Sequence, residues 1–364
     1  IFISPLSKDI FESTLPNSRS TRIMRHYCCI AMPVLLLYLA PLPLPAGAQD
    51  PVKPHIERLD PALDAVIDVA APIEILADGR EWSEGPVWLA DQQAVIFSDI
   101  PNNAIMRWKE GEGLTEYLKP AGYTGEKKRG GESGSNGLAL DQQGRLLLCQ
   151  HGDRRVARMD APLDKPAAKF VTLADRWDGK RFNSPNDLAV HPSGAIYFTD
   201  PPYGLEKQVD DPARELDFQG VYRLGSDGTL SLLYGKMTRP NGIGFSPDYK
   251  RCYVAQSDPD APIWMAFDVA EDGSLKNGRV FFDATHLAKD RQGLPDGLKV
   301  DKRGNVFATG PGGVLILSPE GKHLGTVITG QATANCTFGG PQQDVLYMTA
   351  DMFLMRVALK HPAK

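Results

Sequence analysis

Cysteine is scarce in this 364-residue chain, with five in all, and none of them stands in a C-x-x-C pair. That spacing excludes a disulfide framework and the usual thiolate zinc sites. Cys149, Cys252 and Cys336 are scattered, and each is expected as a small core residue in a strand. No surplus of positive charge exists either: 40 Lys and Arg face 45 Asp and Glu, for a net charge of −5. Such a chain has no basic surplus for neutralising phosphates, so nucleic acid and anionic membrane surfaces are not the expected partners and a small or uncharged ligand fits better. No G-x-S-x-G elbow, dinucleotide fingerprint or phosphate loop occurs, which removes the commonest serine hydrolases and nucleotide enzymes. The one long apolar run, Cys28 to Leu44, is too short and too proline-broken to span a membrane.

That run has another reading. Met24 is followed by Arg25 and His26, then the apolar stretch, then Ala46-Gly47-Ala48, the order of a secretory signal and its small-residue cleavage site. Residues 1–48 are therefore expected to be a leader plus signal peptide that is removed, and the mature chain to be exported, periplasmic or secreted. Their loss takes four basic residues against two acidic ones, so the net charge falls to −7. Residues 49–71 are expected as a linker.

What the remainder contains is a repeat. Six segments begin with a small or polar lead and continue through a hydrophobic stretch, an Asp/Pro/Gly turn and a second apolar strand: SEGPVW from Ser83, SNGLAL from Ser135, SPNDLAV from Ser184, RPNGIGF from Arg239, LPDGLKV from Leu294 and ANCTFGG from Ala334. Between the equivalent points Glu84, Asn136, Asn186, Asn241, Asp296 and Asn335 the steps are 52, 50, 55, 55 and 39 residues by difference of position. Each step holds about four short strands, and no amphipathic helix of more than a few turns competes. A six-bladed β-propeller over 72–360 is predicted, because closing the ring removes exposed sheet edges. The last repeat is one strand short, and Ile73–Leu76 is the natural strand to complete it. Two insertions break the repeat, Thr124–Gly134 and Leu205–Gly220, and both are expected over one mouth of the channel.

The innermost strand of every blade lines that channel, so the six equivalent residues converge on one axis. They are two carboxylates and four amides, hard oxygen donors without a histidine or cysteine. Desolvated together they are costly unless something satisfies them, and a hard divalent cation does so, Ca²⁺ before Zn²⁺, Mn²⁺ or Mg²⁺. Asn136-Gly137, Asn241-Gly242 and Asp296-Gly297 are also common turn dipeptides, and only their recurrence at one repeat position favours ligation.

SEGPVW, SPND, TDPPYG at Thr199–Gly204, PNGIGFSPD and PDGL resemble the motifs of the senescence marker protein, gluconolactonase and luciferin-regenerating-enzyme family, over about Ile73 to Ala358. TDPPYG and CQHGDRRV from Cys149 are similar to its bacterial gluconolactonase branch. The resemblance implies a six-bladed propeller with one divalent metal and lactone hydrolysis, with Glu84, Asn241 and Asp296 as metal ligands, Asn186 binding metal or substrate, and Asp296 as general acid/base. Animal members carry Arg two residues before Asn186, where this chain has Ser184, so their substrate preferences do not transfer. His151 is the rival base, since histidine titrates near neutrality. Asn136, His151 and Tyr203 are candidate substrate contacts, and His191 is expected in a solvated turn. Two readings stay beside lactone opening: phosphotriester or other ester hydrolysis at the same site, and a calcium-stabilised binding propeller without activity.

Overall fold

The computed structural model describes residues 52–127 and 129–364, so the signal-peptide segment lies outside the described residues. Short β-branched and aromatic runs between Gly-containing turns pair as antiparallel hairpins throughout. They form a six-bladed β-propeller, as the repeat predicts. Blade 1 is built from Ser83–Leu89, Ala94–Asp99, Ala104–Lys109 and Gly113–Leu118. Blade 2 runs Ser135–Leu140, Leu146–Gln150, Arg155–Met159 and Phe170–Ala174, and blade 3 runs Leu188–Val190, Ile196–Asp200, Gly220–Leu224 and Leu230–Tyr234. Blade 4 holds the longest strands, among them Arg251–Asp258 and Ala261–Val269. The described helices are short, the one α-helix being Thr285–Ala288.

Blade 6 takes Thr333–Gly339, Val345–Ala350 and Phe353–Ala358 from the C-terminal part of the chain. Its fourth strand is Glu74–Ala77, which pairs antiparallel with Phe353–Ala358 and places Ile75 opposite Met355. The ring is thus closed by an N-terminal strand, one residue along from Ile73–Leu76.

Residues 49–71 do more than link. Blade 5 runs Leu298–Val300, Val306–Gly310, Gly313–Leu317 and His323–Ile328; His55–Arg58 adds a fifth strand to it, pairing Ile56 with Val327, and a 3₁₀ turn at Pro61–Ala65 follows. Ile56, Leu63, Val66 and Ile67 are buried in the core shared by blades 5 and 6. Arg291 donates two hydrogen bonds, both 2.8 Å, to the Glu57 carboxylate and fastens the added strand. Four residues are too few to register against the repeat, and the apolar residues that follow have the spacing of a helical turn, which is why the segment read as a linker. At the other end the body extends past 360: Ala363 is buried and its backbone bonds to Gln343 and Lys302 at 2.7 Å.

The blades pack through six apolar clusters, each drawing on neighbouring sheets. Cys149, Cys252 and Cys336 are free, fully buried thiols in blades 2, 4 and 6. Among the described residues no helix is long and apolar enough to cross a membrane.

Candidate active site

The repeat position that carries the polar channel residues is held by a device that joins neighbouring blades. A Cβ on Gly137 would lie 2.7 Å from the carbonyl oxygen of Asn186, and one on Gly242 would lie 2.2 Å from that of Asp296. Glycine follows the channel residue because the next blade's channel residue packs there with its backbone, so these dipeptides are close approaches and not only turns. A hydroxyl on the second strand completes the joint. Ser98 donates to Asn136 O at 2.8 Å, Thr199 to Asn241 O at 2.7 Å, and Ser257 to Pro295 O; Thr309 reaches Ala334 O at 2.8 Å. Each blade therefore sets the height at which its neighbour's side chain enters the channel.

Five of the six residues so placed line one cavity of about 340 Å³: Glu84, Asn136, Asn186, Asn241 and Asp296. Asn136 Oδ1, Asn186 Oδ1 and Asp296 Oδ1 are buried acceptors without any hydrogen-bond donor. Asn241 gives its Nδ2 to Ser257 Oγ at 2.8 Å, which leaves Oδ1 as its free end. Glu84 is almost fully buried, and its Oε2 accepts Gly85 N–H at 2.7 Å and Asn335 Nδ2 at 3.0 Å. Burial first, and then the charge of Asp187, push Glu84 up to about 7. Burial, with Glu84, Asp187 and Glu132 nearby, holds Asp296 well above the usual carboxylate range. Asp187, one position below Asn186, is raised by burial and drawn back by the Lys299 ammonium.

Asn335 departs from expectation. It occupies the sixth position, but it is no part of the cavity wall: its Oδ1 accepts Cys336 N–H at 2.9 Å and Lys299 Nζ at 3.3 Å. His151 departs too. Its side chain has no exposure and stands one layer behind the wall, with Nδ1 3.1 Å from the Glu132 carboxylate and Nε2 3.5 Å from Asn186 Nδ2. The loop at Gly204 packs over it, a Cβ there falling 2.6 Å from His151 Cβ, and His151 is not among the residues that line the cavity. Tyr203 does line the cavity, and burial raises its phenol beside the Ser257 hydroxyl. Ser184 Oγ donates to Pro201 O at 2.6 Å and accepts Gly204 N–H at 2.9 Å, holding the loop that brings Tyr203 in. His191 sits in a hairpin turn, bonded to Ser193 Oγ at 2.9 Å and packed edge-on against Phe245 and Tyr249.

The insertions meet at this mouth. Arg129 donates to Gly152 O at 2.7 Å and to Gly204 O, and Gly130 N–H reaches the Glu206 carboxylate at 3.0 Å. Glu132, Trp82, Ser257 and Leu294 also line the wall and were not anticipated. Ser257 was legible, since it recurs as Ser98, Thr199 and Thr309 on the other second strands. Glu132 lies in an insertion that repeats nowhere and carries no such signal. A larger cavity of about 600 Å³ opens at the far ends of the inner strands, where residues such as Trp88, Leu140, Val190 and Phe245 are apolar.

Residues 82–351 match the model of the SMP-30/Gluconolactonase/LRE-like region. The chain belongs to this family. Within the family, it is 38% identical over 312 residues to a gluconolactonase of Zymomonas mobilis, covering 84% of this chain and 86% of that one. A pentonolactonase of Haloferax volcanii is 27% identical over 273 residues, covering 73% of this chain and 80% of that one. The solved structure of a Xanthomonas campestris gluconolactonase superposes with a TM-score of 0.72 at 33% identity, over 87% of this chain and 98% of that one. The segments SEGPVW, SPND, PNG and PDG, all within the matched residues, bring Glu84, Asn186, Asn241 and Asp296 to one cavity. Among the described residues no group of three or more His, Cys, Asp and Glu side chains gathers as a metal cluster; the cavity is lined by the carboxylates of Glu84, Glu132 and Asp296 and by the amides of Asn136, Asn186 and Asn241.

Proposed function

We propose that the chain is a gluconolactonase-like hydrolase that opens sugar lactones in this cavity, with one divalent cation held by Glu84, Asn186, Asn241 and Asp296. The observation that carries the reading is the set of donorless buried oxygens on Asn136, Asn186 and Asp296, which share one space with Glu84, the two carboxylates of that set both being raised by burial. Hard oxygens without protons to pair them suit a hard cation, Ca²⁺ before Zn²⁺, Mn²⁺ or Mg²⁺. The lactonase names of the family relatives support the reaction class.

When bound, the cation supplies Lewis-acid polarisation of the lactone carbonyl. Asp296 would act as general acid/base through the carboxylate oxygen that it does not give to the cation, taking the proton of the attacking water and returning it to the ring oxygen as the ester bond breaks. Asn136 and Tyr203 orient the substrate through its hydroxyls, and the walls from Trp82 and Leu294 limit water around it. A cavity of about 340 Å³ suits a single sugar ring. Export to the periplasm or outside the cell is part of the proposal and rests on the Met24–Ala48 signal pattern.

The test is hydrolysis of a panel of aldonolactones by pH-stat, with spontaneous opening subtracted, before and after chelation and with Ca²⁺, Mg²⁺, Mn²⁺ or Zn²⁺ restored. Lactone opening that chelation removes and one ion restores is expected, and Asp296→Asn should lower kcat at least about 100-fold. A chain inactive on every lactone and ester, yet melting at a lower temperature after chelation, sinks the enzyme in favour of a calcium-stabilised binding propeller.

A further inference from the structure

Beneath the cavity wall lies a chain of buried contacts that the reaction itself does not use. Two donors converge on one oxygen of Glu84: Gly85 N–H at 2.7 Å and Asn335 Nδ2 at 3.0 Å, both on Oε2. Oε1 is thereby the oxygen that Glu84 keeps for the cavity. The opposite end of the Asn335 amide is fixed as firmly, because Oδ1 accepts Cys336 N–H at 2.9 Å and the Lys299 ammonium at 3.3 Å. Turning that amide over would set Oδ1 against the Glu84 carboxylate and Nδ2 against an ammonium and an N–H. Three attractive contacts would become three repulsive ones.

Lys299 arrives from an unusual side. Its stem lines the larger, apolar cavity at the far ends of the inner strands, while Nζ also donates to Leu298 O at 3.0 Å and points up the channel. A long side chain laid along apolar surface with its charge at a polar centre keeps the stem packed and the head directed.

We propose that Lys299 and Asn335 are positioning residues for Glu84: the ammonium, with the Cys336 N–H, sets which way the Asn335 amide faces, and the amide then holds Glu84 with Oε1 presented to the cavity. The inference rests on the cation reading above. Outer partners of this kind orient the groups that bind a metal, and their loss typically weakens binding about 10- to 100-fold.

Charge and position make opposite forecasts for Lys299, which makes the inference testable. Removing a positive charge beside a cation site tightens cation binding if charge alone matters. Removing the group that orients Asn335 loosens it. CaCl₂ alone is titrated calorimetrically into the metal-depleted full chain and into Asn335→Leu, Lys299→Met and Lys299→Arg, with MgCl₂, MnCl₂ and ZnCl₂ in parallel. We expect Kd to rise about 10-fold or more in Asn335→Leu and several-fold in Lys299→Met, with Lys299→Arg close to the parent. Tighter or unchanged binding in Lys299→Met overturns the role of Lys299, and unchanged binding in Asn335→Leu overturns the whole inference. Should Asn335→Leu fail to fold, Lys299→Met carries the test, because its unbranched stem preserves the packing. A parent chain that binds none of the four ions overturns the cation reading itself, a result distinct from either of these.

Discussion

Ser257 illustrates how one hydroxyl can serve two blades. It receives Asn241 Nδ2 at 2.8 Å and donates to Pro295 O, so it aims one channel residue and seats the strand that carries another. Replacing it by alanine leaves the Asn241 amide free to turn its nitrogen towards the cavity, and the cost is on the order of 1–2 kcal/mol at the site. Ser257→Ala should accordingly lower lactone kcat/KM about 10-fold while the melting temperature falls by only a few degrees. Gly242 makes the reverse case. A Cβ 2.2 Å from Asp296 O forces two blades apart, so Gly242→Ala should cost roughly 1–3 kcal/mol in chemical denaturation and activity together. The channel residues were readable because the repeat puts the same chemistry at the same place six times. Asn335 shows the limit of that logic: repeat position fixes where a backbone enters the channel, whereas the direction of an amide depends on Lys299 and Cys336, which only packing brings near. His151 shows the same limit, since its burial depends on the Thr199–Gly204 loop of the next blade, which only packing brings over it.

The strand His55–Arg58 is the element that sequence patterning left out, and its fastening predicts how the protein responds to acid. Burial lowers His323, at the start of the partner strand, to about 4, with Glu57, Arg291 and His286 facing it. A histidine that must stay neutral when folded stabilises fully above its unfolded value near 6.5, and that stability is lost as pH falls from there towards 4. Glu57 is held below its ordinary value by Arg291, so its contribution fades as pH drops through the lowered value. The two effects share a direction. His323→Gln can keep a bond to Thr326 Oγ1, which now lies 2.9 Å from Nε2, and should flatten the decline in unfolding free energy between pH 6.5 and 4 by an amount on the order of 2 kcal/mol, read by chemical denaturation. A decline identical to the parent's would count against this account of the strand. Leu63 provides a check without charge: fully buried in the same core, Leu63→Ala should destabilise by about 2–5 kcal/mol with lactone KM unchanged.

At the scale of the whole molecule, the ring closes only because Glu74–Ala77 pairs with Phe353–Ala358, residues nearly the length of the chain apart. Six alternating strand groups made the propeller legible, and the shortfall of one strand in the last repeat pointed to the closing strand. Residues 55–67 were not legible, because a single added strand leaves no period to detect. Closure leaves three unreacted sulfurs in alternate blades, Cys149, Cys252 and Cys336, each without solvent exposure and each with its thiol raised by burial. They form a built-in set of reporters spaced around the circle. Under native conditions an alkylating reagent can reach them only when the surrounding sheet opens, so labelling rates read opening free energies blade by blade. If the circle comes apart as one unit, all three sulfurs should acquire label at a common rate; if it unzips from the seam in blade 6, Cys336 should be labelled well before Cys149 and Cys252.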